Sequence, residues 1–163
     1  MRGTLYVADD SRPAATWDGV VARLAQSKTF WLATNGEGGP HVMPLLAVTL
    51  DGRIFFCAGP QTRKARNLAR DSRCVLTTAA EGMDIVVEGE AVIITDDPTL
   101  RRVAGAYLSK YGWDAEPRDG ALWAEGAPTA GPPPLDLYEL RPRKVFSFGT
   151  DESVNAMRWT MSA

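Results

Sequence analysis

The residues most able to do chemistry lie in Gln61-Thr62-Arg63-Lys64-Ala65-Arg66-Asn67-Leu68-Ala69-Arg70, which holds four cations in ten residues and no acid before Asp71. The run follows a Gly59-Pro60 break after a strand-like segment, so it reads as a short helix over 62–70 with Ala65, Leu68 and Ala69 inward. A helix N-terminus presents unpaired N–H groups and the positive end of the peptide dipole. Thr62 adds a hydroxyl, and Lys64 and Asn67, three residues apart, share a face. Such a cluster suits a phosphate group. A solvated basic helix that merely covers the fold accounts for the same charges.

Two further features bear on that choice. Pro44 interrupts an otherwise strong strand pattern, and proline cannot donate to a ladder. Pairing is expected to fail there and to free backbone groups of Val42, Met43 and Leu45 for a planar ligand. An edge strand or a bulge is the alternative. His41 adjoins this stretch as the single histidine of the chain, with a structural or surface place as its ordinary role. Near the C-terminus, Arg158-Trp159 suits either an anchored tail or a ring stacked on a flat ligand with an anion held by the arginine.

Other chemistries are not in the sequence. One histidine and two separated cysteines, Cys57 and Cys74, exclude a His-rich or paired-Cys metal site, and both thiols sit in apolar runs that suggest buried, reduced side chains. There is no nucleophile-elbow motif and no phosphate loop ending in Gly-Lys-Ser/Thr. The acids are scattered, so no catalytic residue is assigned, and a borrowed cofactor is the stronger reading. A net charge of −2 speaks against bulk nucleic-acid binding. With no apolar signal core and no run long enough to span a bilayer, the expected location is cytoplasmic.

The elements that must position these residues follow from pattern. The 163 residues suggest one domain over 1–163. Residues 1–13 read as a loose leader. Trp17, Val20, Val21 and Leu24 mark a helix capped by Thr16 and ending near Ser27. Strands are expected over 30–34, 41–50, 53–58, 73–78, 83–95, 135–140 and 144–148, with hairpin turns at 35–40 and Asp51-Gly52. Val42, Leu46, Val48 and Leu50 on one face, and Met43, Leu45 and Ala47 on the other, call for cover outside the sheet from a helix or a second subunit. Gly89 marks a bend or bulge. Asp96 or Asp97 caps a helix with Pro98 in its first turn, Leu100, Val103, Ala104, Tyr107, Leu108 and Tyr111 along one stripe, and Gly112 at its end. Residues 114–134, rich in Pro, Gly and acids, read as a long loop, a lid or a surface cover. The result is a mainly β fold: a barrel of about six to seven mostly antiparallel strands with peripheral helices.

In this order, Phe30-Trp31-Leu32-Ala33-Thr34, the glycine turn, Pro40-His41-Val42-Met43-Pro44, Asp51-Gly52 and Thr62-Arg63-Lys64-Ala65-Arg66-Asn67-Leu68 resemble the split β-barrels of the pyridoxamine 5'-phosphate oxidase-like superfamily. More narrowly, they are similar to the flavin/deazaflavin-dependent oxidoreductases. The resemblance covers about residues 17–112 and 135–161. It implies a homodimer with the cofactor, FMN or the deazaflavin coenzyme F-420, at the subunit interface. Thr62, Arg63, Lys64 and Asn67 would surround the phosphate, and His41, Val42, Met43 and Pro44 would line the ring through backbone contacts. Arg158 and Trp159 look like a C-terminal pair that approaches the ring from the partner. The tail lacks the Arg-Leu-x-Pro ending of the vitamin B6 oxidases, which tilts the reading toward deazaflavin. The implied activity is hydride transfer between the cofactor and a small conjugated molecule. A non-catalytic carrier of a flavin or tetrapyrrole is the alternative.

Overall fold

The structure, a computed structural model, describes residues 1–6, 11–127, 129–150 and 154–161. In chain order the elements are β1 (Arg2–Leu5), α1 (Trp17–Gln26), β2 (Phe30–Gly36), β3 (Gly39–Leu45), β4 (Ala47–Leu50), β5 (Arg53–Ala58), α2 (Arg63–Arg70), β6 (Arg73–Ala80), β7 (Met83–Ile94), α3 (Asp97–Tyr111), β8 (Glu116–Arg118), β9 (Ala121–Trp123), β10 (Asp136–Gly149) and β11 (Met157–Thr160). Every strand pair is antiparallel.

Local chemistry sets these boundaries. The Thr16 hydroxyl accepts from Gly19 N–H and caps α1, and Asp96 caps α3 through Thr99 N–H. Gly112 closes α3 in the left-handed region at φ 67°, where a side chain would be strained. Asp51 and Gly52 both have positive φ, as the tight β4–β5 hairpin requires.

Ladder pairing closes a ring: β2 with β3, β4 with β5, β5 with β10, β10 with β7, β7 with β6 and β6 with β2. The ring closes because β3 and β4 are one bent path that changes partners at Leu46. Side chains of α3 take the carbonyls at that switch. The Tyr107 hydroxyl donates to Leu46 O at 3.2 Å, and the Tyr111 hydroxyl and Lys110 ammonium donate to Ala47 O at 2.8 and 3.0 Å. Buried carbonyls without such donors would be costly.

Strand alternation divides the apolar residues between two cores. Phe30, Leu32, Leu45, Phe56, Leu76, Val87, Leu140 and Trp159 fill the barrel. Val48, Phe55, Leu100, Val103, Tyr107, Leu122 and Leu137 pack outside it, beneath α3 and the β8–β9 hairpin. The expected cover is therefore present over β4 and β5. Over β2 and β3 it is not, and Trp31 and Val42 stand 40% and 55% exposed.

Several expectations need correction. Part of the loose leader is β1, which pairs with β11, while residues 7–10 lie outside the described residues. The expected 41–50 strand is β3 plus β4, and 135–140 with 144–148 is the single strand β10. Residues 114–134 are not simply a loop: β8 and β9 form a hairpin, and Ala115, Leu122 and Ala130 are buried in the outer core. Small apolar residues at the right phase sufficed there despite the Pro/Gly content. Leu108 is 49% exposed and Ala69 is also exposed, because each lies at the margin of its helix's apolar stripe. Beside Gly89 the irregularity is in β10, whose register shifts between Pro142 and Lys144; a Cβ on Gly89 would fall 2.2 Å from Arg141 O.

Candidate functional site

The β2–β3 turn and α2 come together first. A Cβ on Gly36 would lie 3.1 Å from Asn67 Nδ2, and one on Gly38 would lie 3.7 Å from the Arg63 guanidinium. The missing side chains leave room for a cationic cleft of about 440 Å³ lined by Glu37, Gly38, Arg63, Arg66, Asn67 and Arg70. Arg63, Arg66 and Arg70 follow at helical spacing, so their guanidinium groups share one side of α2. Arg70 is paired with Glu37.

The other residues of the motif are already engaged. The Thr62 hydroxyl donates to Gly59 O at 2.8 Å and accepts from Ala65 N–H at 3.3 Å, which caps α2. Asn67, only 2% exposed, donates to the Thr34 hydroxyl at 3.0 Å and accepts from Arg70 at 3.2 Å. Lys64 is 3% exposed and donates to Thr129 O, and burial lowers its pKa. Lys64 and Asn67 do share the buried side of α2, as their spacing suggests, whereas the open side belongs to Arg63 and Arg66. Arg66 belongs to the charge run of the sequence, and only its exposure in the fold marks it as a site residue.

His41 pairs with Thr34 across the β2–β3 ladder and so faces α2. Its pKa is lowered by partial burial, then by the charges of Arg63 and Lys64. Pro44 does not break the ladder: it stands opposite Trp31, and pairing continues to Leu45. The edge-strand alternative holds, since among the described residues β3 pairs with β2 alone. A proline nitrogen in an edge strand faces away from the partner. Pro40 and Pro44 share one phase, so the Val42 N–H and C=O also point to the open edge. Met43 and Leu45, in the opposite phase, turn their backbone groups toward β2.

A second cleft opens where the outer cover ends, about 330 Å³ in volume. Pro44, Leu45, Leu46, Thr29 and Cys57 form the barrel side, and Trp113, Ala127, Thr129 and Ala130 the other. None of these described lining residues carries a charge. Burial pushes the Cys57 thiol up to about 12, so it stays protonated at neutral pH. A largely apolar cleft of this size beside a cationic one is a common form of small-molecule site. Pattern reading missed Trp113 and the wall of Ala127, Thr129 and Ala130, which only the folded hairpin brings to β3.

Arg158 and Trp159 do not act as one unit. Strand alternation sends them to opposite faces of β11. Trp159 is 3% exposed and packs against Trp17 with ring centroids 5.7 Å apart. Its place is that of a tail anchor. Arg158 is exposed in register with Phe146, which continues through Val86, Thr77 and Trp31 to Pro44.

The solved structures most useful for comparison share this fold. A conserved hypothetical protein of Mycobacterium tuberculosis is 19% identical with TM-score 0.68, covering 90% of this chain and 92% of its own. PhzG of Burkholderia lata, in complex with tetrahydrophenazine-1-carboxylic acid, is 20% identical with TM-score 0.55, covering 90% and 82%. A heme binding protein of Mycobacterium smegmatis is 18% identical with TM-score 0.59, covering 86% of this chain and 56% of its own. No curated protein matches the sequence. The profile of the pyridoxamine 5'-phosphate oxidase family matches residues 16–149, from the cap of α1 to the end of β10, and this chain belongs to that family.

Proposed function

We propose that the protein is an oxidoreductase that holds FMN or the deazaflavin coenzyme F-420 and acts on a small conjugated molecule. The observation that carries the reading is the juxtaposition of a cationic cleft and an apolar cleft along one open strand edge. Arg63 and Arg66, which line the cationic cleft, would hold the phosphate. His41 through Pro44 span about 10 Å of extended strand, at about 3.3 Å per residue, between that cleft and the apolar one. Val42 offers a free N–H and C=O to a flat ring along this edge, and Pro44 supplies an apolar surface.

The glycine cradle at 36 and 38 and the free arginines fit a phosphate-bearing cofactor. A flavin or deazaflavin bound here supplies hydride transfer. The chain's own part is to bind, orient and exclude water. Cys57 stays protonated, and among the described residues no lining side chain of the apolar cleft is a strong acid or base, so the proton of a reduction comes from solvent or another donor. The exposed face carrying Trp31 and Val42 adjoins the cleft through Pro44, which supports a homodimer with a second copy bordering the site.

The test is to titrate FMN and coenzyme F-420 separately by fluorescence. The reduced complex is then mixed with quinones, enones and biliverdin-like acceptors. Acceptor-dependent oxidation supports the enzyme. Binding of either cofactor or a tetrapyrrole without turnover supports the carrier reading, which the lack of an aligned proton donor favours. Binding of none removes both.

A further inference from the structure

The apolar cleft has one wall built unlike the rest. Trp113 follows the Gly112 cap of α3, and its indole is fixed at two points. Its Nε1 donates to Glu125 O at 2.7 Å, and its ring meets Tyr107 edge-on with centroids 5.0 Å apart at 81°. Tyr107 is itself fully buried and donates to Leu46 O. Leu46 lies on the opposite wall of the same cleft. A chain of contacts from Trp113 through Tyr107 to Leu46 therefore ties the two walls together. Trp113 is thereby held in place relative to Leu46 across the cleft.

We infer that Trp113 is a specificity-determining residue of this protein, a rigid flat wall that makes the apolar cleft a slot favouring flat, uncharged conjugated substrates over those with bulk out of the ring plane. The inference rests on the proposed oxidoreductase reading for the word substrate, but the slot is a property of the cleft itself. The described lining side chains are uncharged, and Lys64, the buried cation behind them, is engaged with Thr129 O, so the cleft favours neutral molecules over ions that would lose hydration there. The fixed indole sets the preference for flatness. Ala127 also lines the cleft and carries a small side chain.

The experiment uses the full chain loaded with whichever cofactor it binds, with menadione as the flat probe and 2,6-di-tert-butylbenzoquinone as the bulky one. Calorimetry gives the affinity of each. Wild type is expected to prefer menadione, and Trp113→Ala to shrink that preference by about tenfold or more, the discrimination that about one methylene group gives in an apolar pocket. Trp113→Phe, a smaller perturbation of the fold, is expected to shrink it less. Ala127→Leu should weaken menadione by narrowing the slot from the other direction. Unchanged preference in Trp113→Phe and Trp113→Ala, together with unaltered menadione binding in Ala127→Leu, overturns the inference. Failure of the wider reading looks different: neither FMN nor F-420 binds, while the quinone preference, measured on the protein alone, still follows residue 113.

Discussion

Lys64 donates from the buried side of α2 to the carbonyl of Thr129, across a sequence separation of 65 residues. One cation of the α2 motif is thus also a fastener for the segment that walls the apolar cleft. Lys64→Met keeps the apolar stem and loses the bond. Faster amide exchange is expected around Thr129–Gly131, read by exchange mass spectrometry, while α3 keeps its protection. Equal exchange in both proteins would show that the segment is held without Lys64.

Phosphate affinity is assigned first to the arginines that are free to meet it. Arg63→Ala and Arg66→Ala should each weaken cofactor binding by about 1.5–3 kcal/mol, the usual worth of a charged hydrogen bond. Dephosphorylated riboflavin serves as the control for FMN, since its affinity should not depend on either arginine. Equal losses for FMN and riboflavin would point to a structural effect.

His41 reports on the same cleft. As the single histidine, it gives one imidazole Hε1 resonance. Its titration midpoint should lie below the ordinary 6.5 because burial and then Arg63 and Lys64 oppose protonation. As pH falls from 6.5 to that midpoint, the unfolded chain takes up the proton before the folded one, so stability declines through this window and then levels. Arg63→Gln, or a bound phosphate group, should raise the midpoint. A midpoint indifferent to both would separate His41 from the cationic cleft.

Much of this architecture was readable before folding. Thr16, Asp96 and Gly112 end their helices as their types demand, and the 51–52 turn falls where expected, while the expected 35–40 turn is tighter, with only 37–38 between β2 and β3. What escaped the pattern depends on distant contacts. Leu46 is unremarkable in sequence, yet its carbonyl marks where one bent strand changes partners. Trp113 stands beside a glycine at the start of a Pro/Gly-rich stretch, and only its contacts with Tyr107 and Glu125 give it a role. Arg158-Trp159 reads as a pair, but strand geometry divides it.

Lys110 couples the strand switch to pH. Its ammonium, held against Ala47 O and near the faces of Phe30 and Tyr111, has its pKa lowered by burial to about 8. Between about 8 and the unfolded value of 10.5, the unfolded chain binds the proton and the folded one does not, so stability from this group rises with pH. After allowance for partial solvent screening the gain is roughly 1 kcal/mol, or about 2–4 °C in Tm for a chain of this size. Lys110→Met should abolish that gain in the difference between melting curves at pH 7.5 and 9.5. Parallel curves for the two proteins would contradict it.

Gly89→Ala tests the β7–β10 crossing. The added methyl has no room beside Arg141 O, so a loss of about 1–3 kcal/mol is expected by chemical denaturation. An unchanged midpoint would mean that β10 shifts freely at Arg143.

The open margin of β3 also bears on solubility. A strand left bare for a visiting molecule is equally bare to a stray polypeptide, which would recruit onto it amide by amide and seed aggregation. With Pro40 and Pro44 bracketing Val42, that margin has too few donors to template a neighbouring chain. The same spacing that leaves one docking point for a small molecule denies a continuous zipper to anything longer.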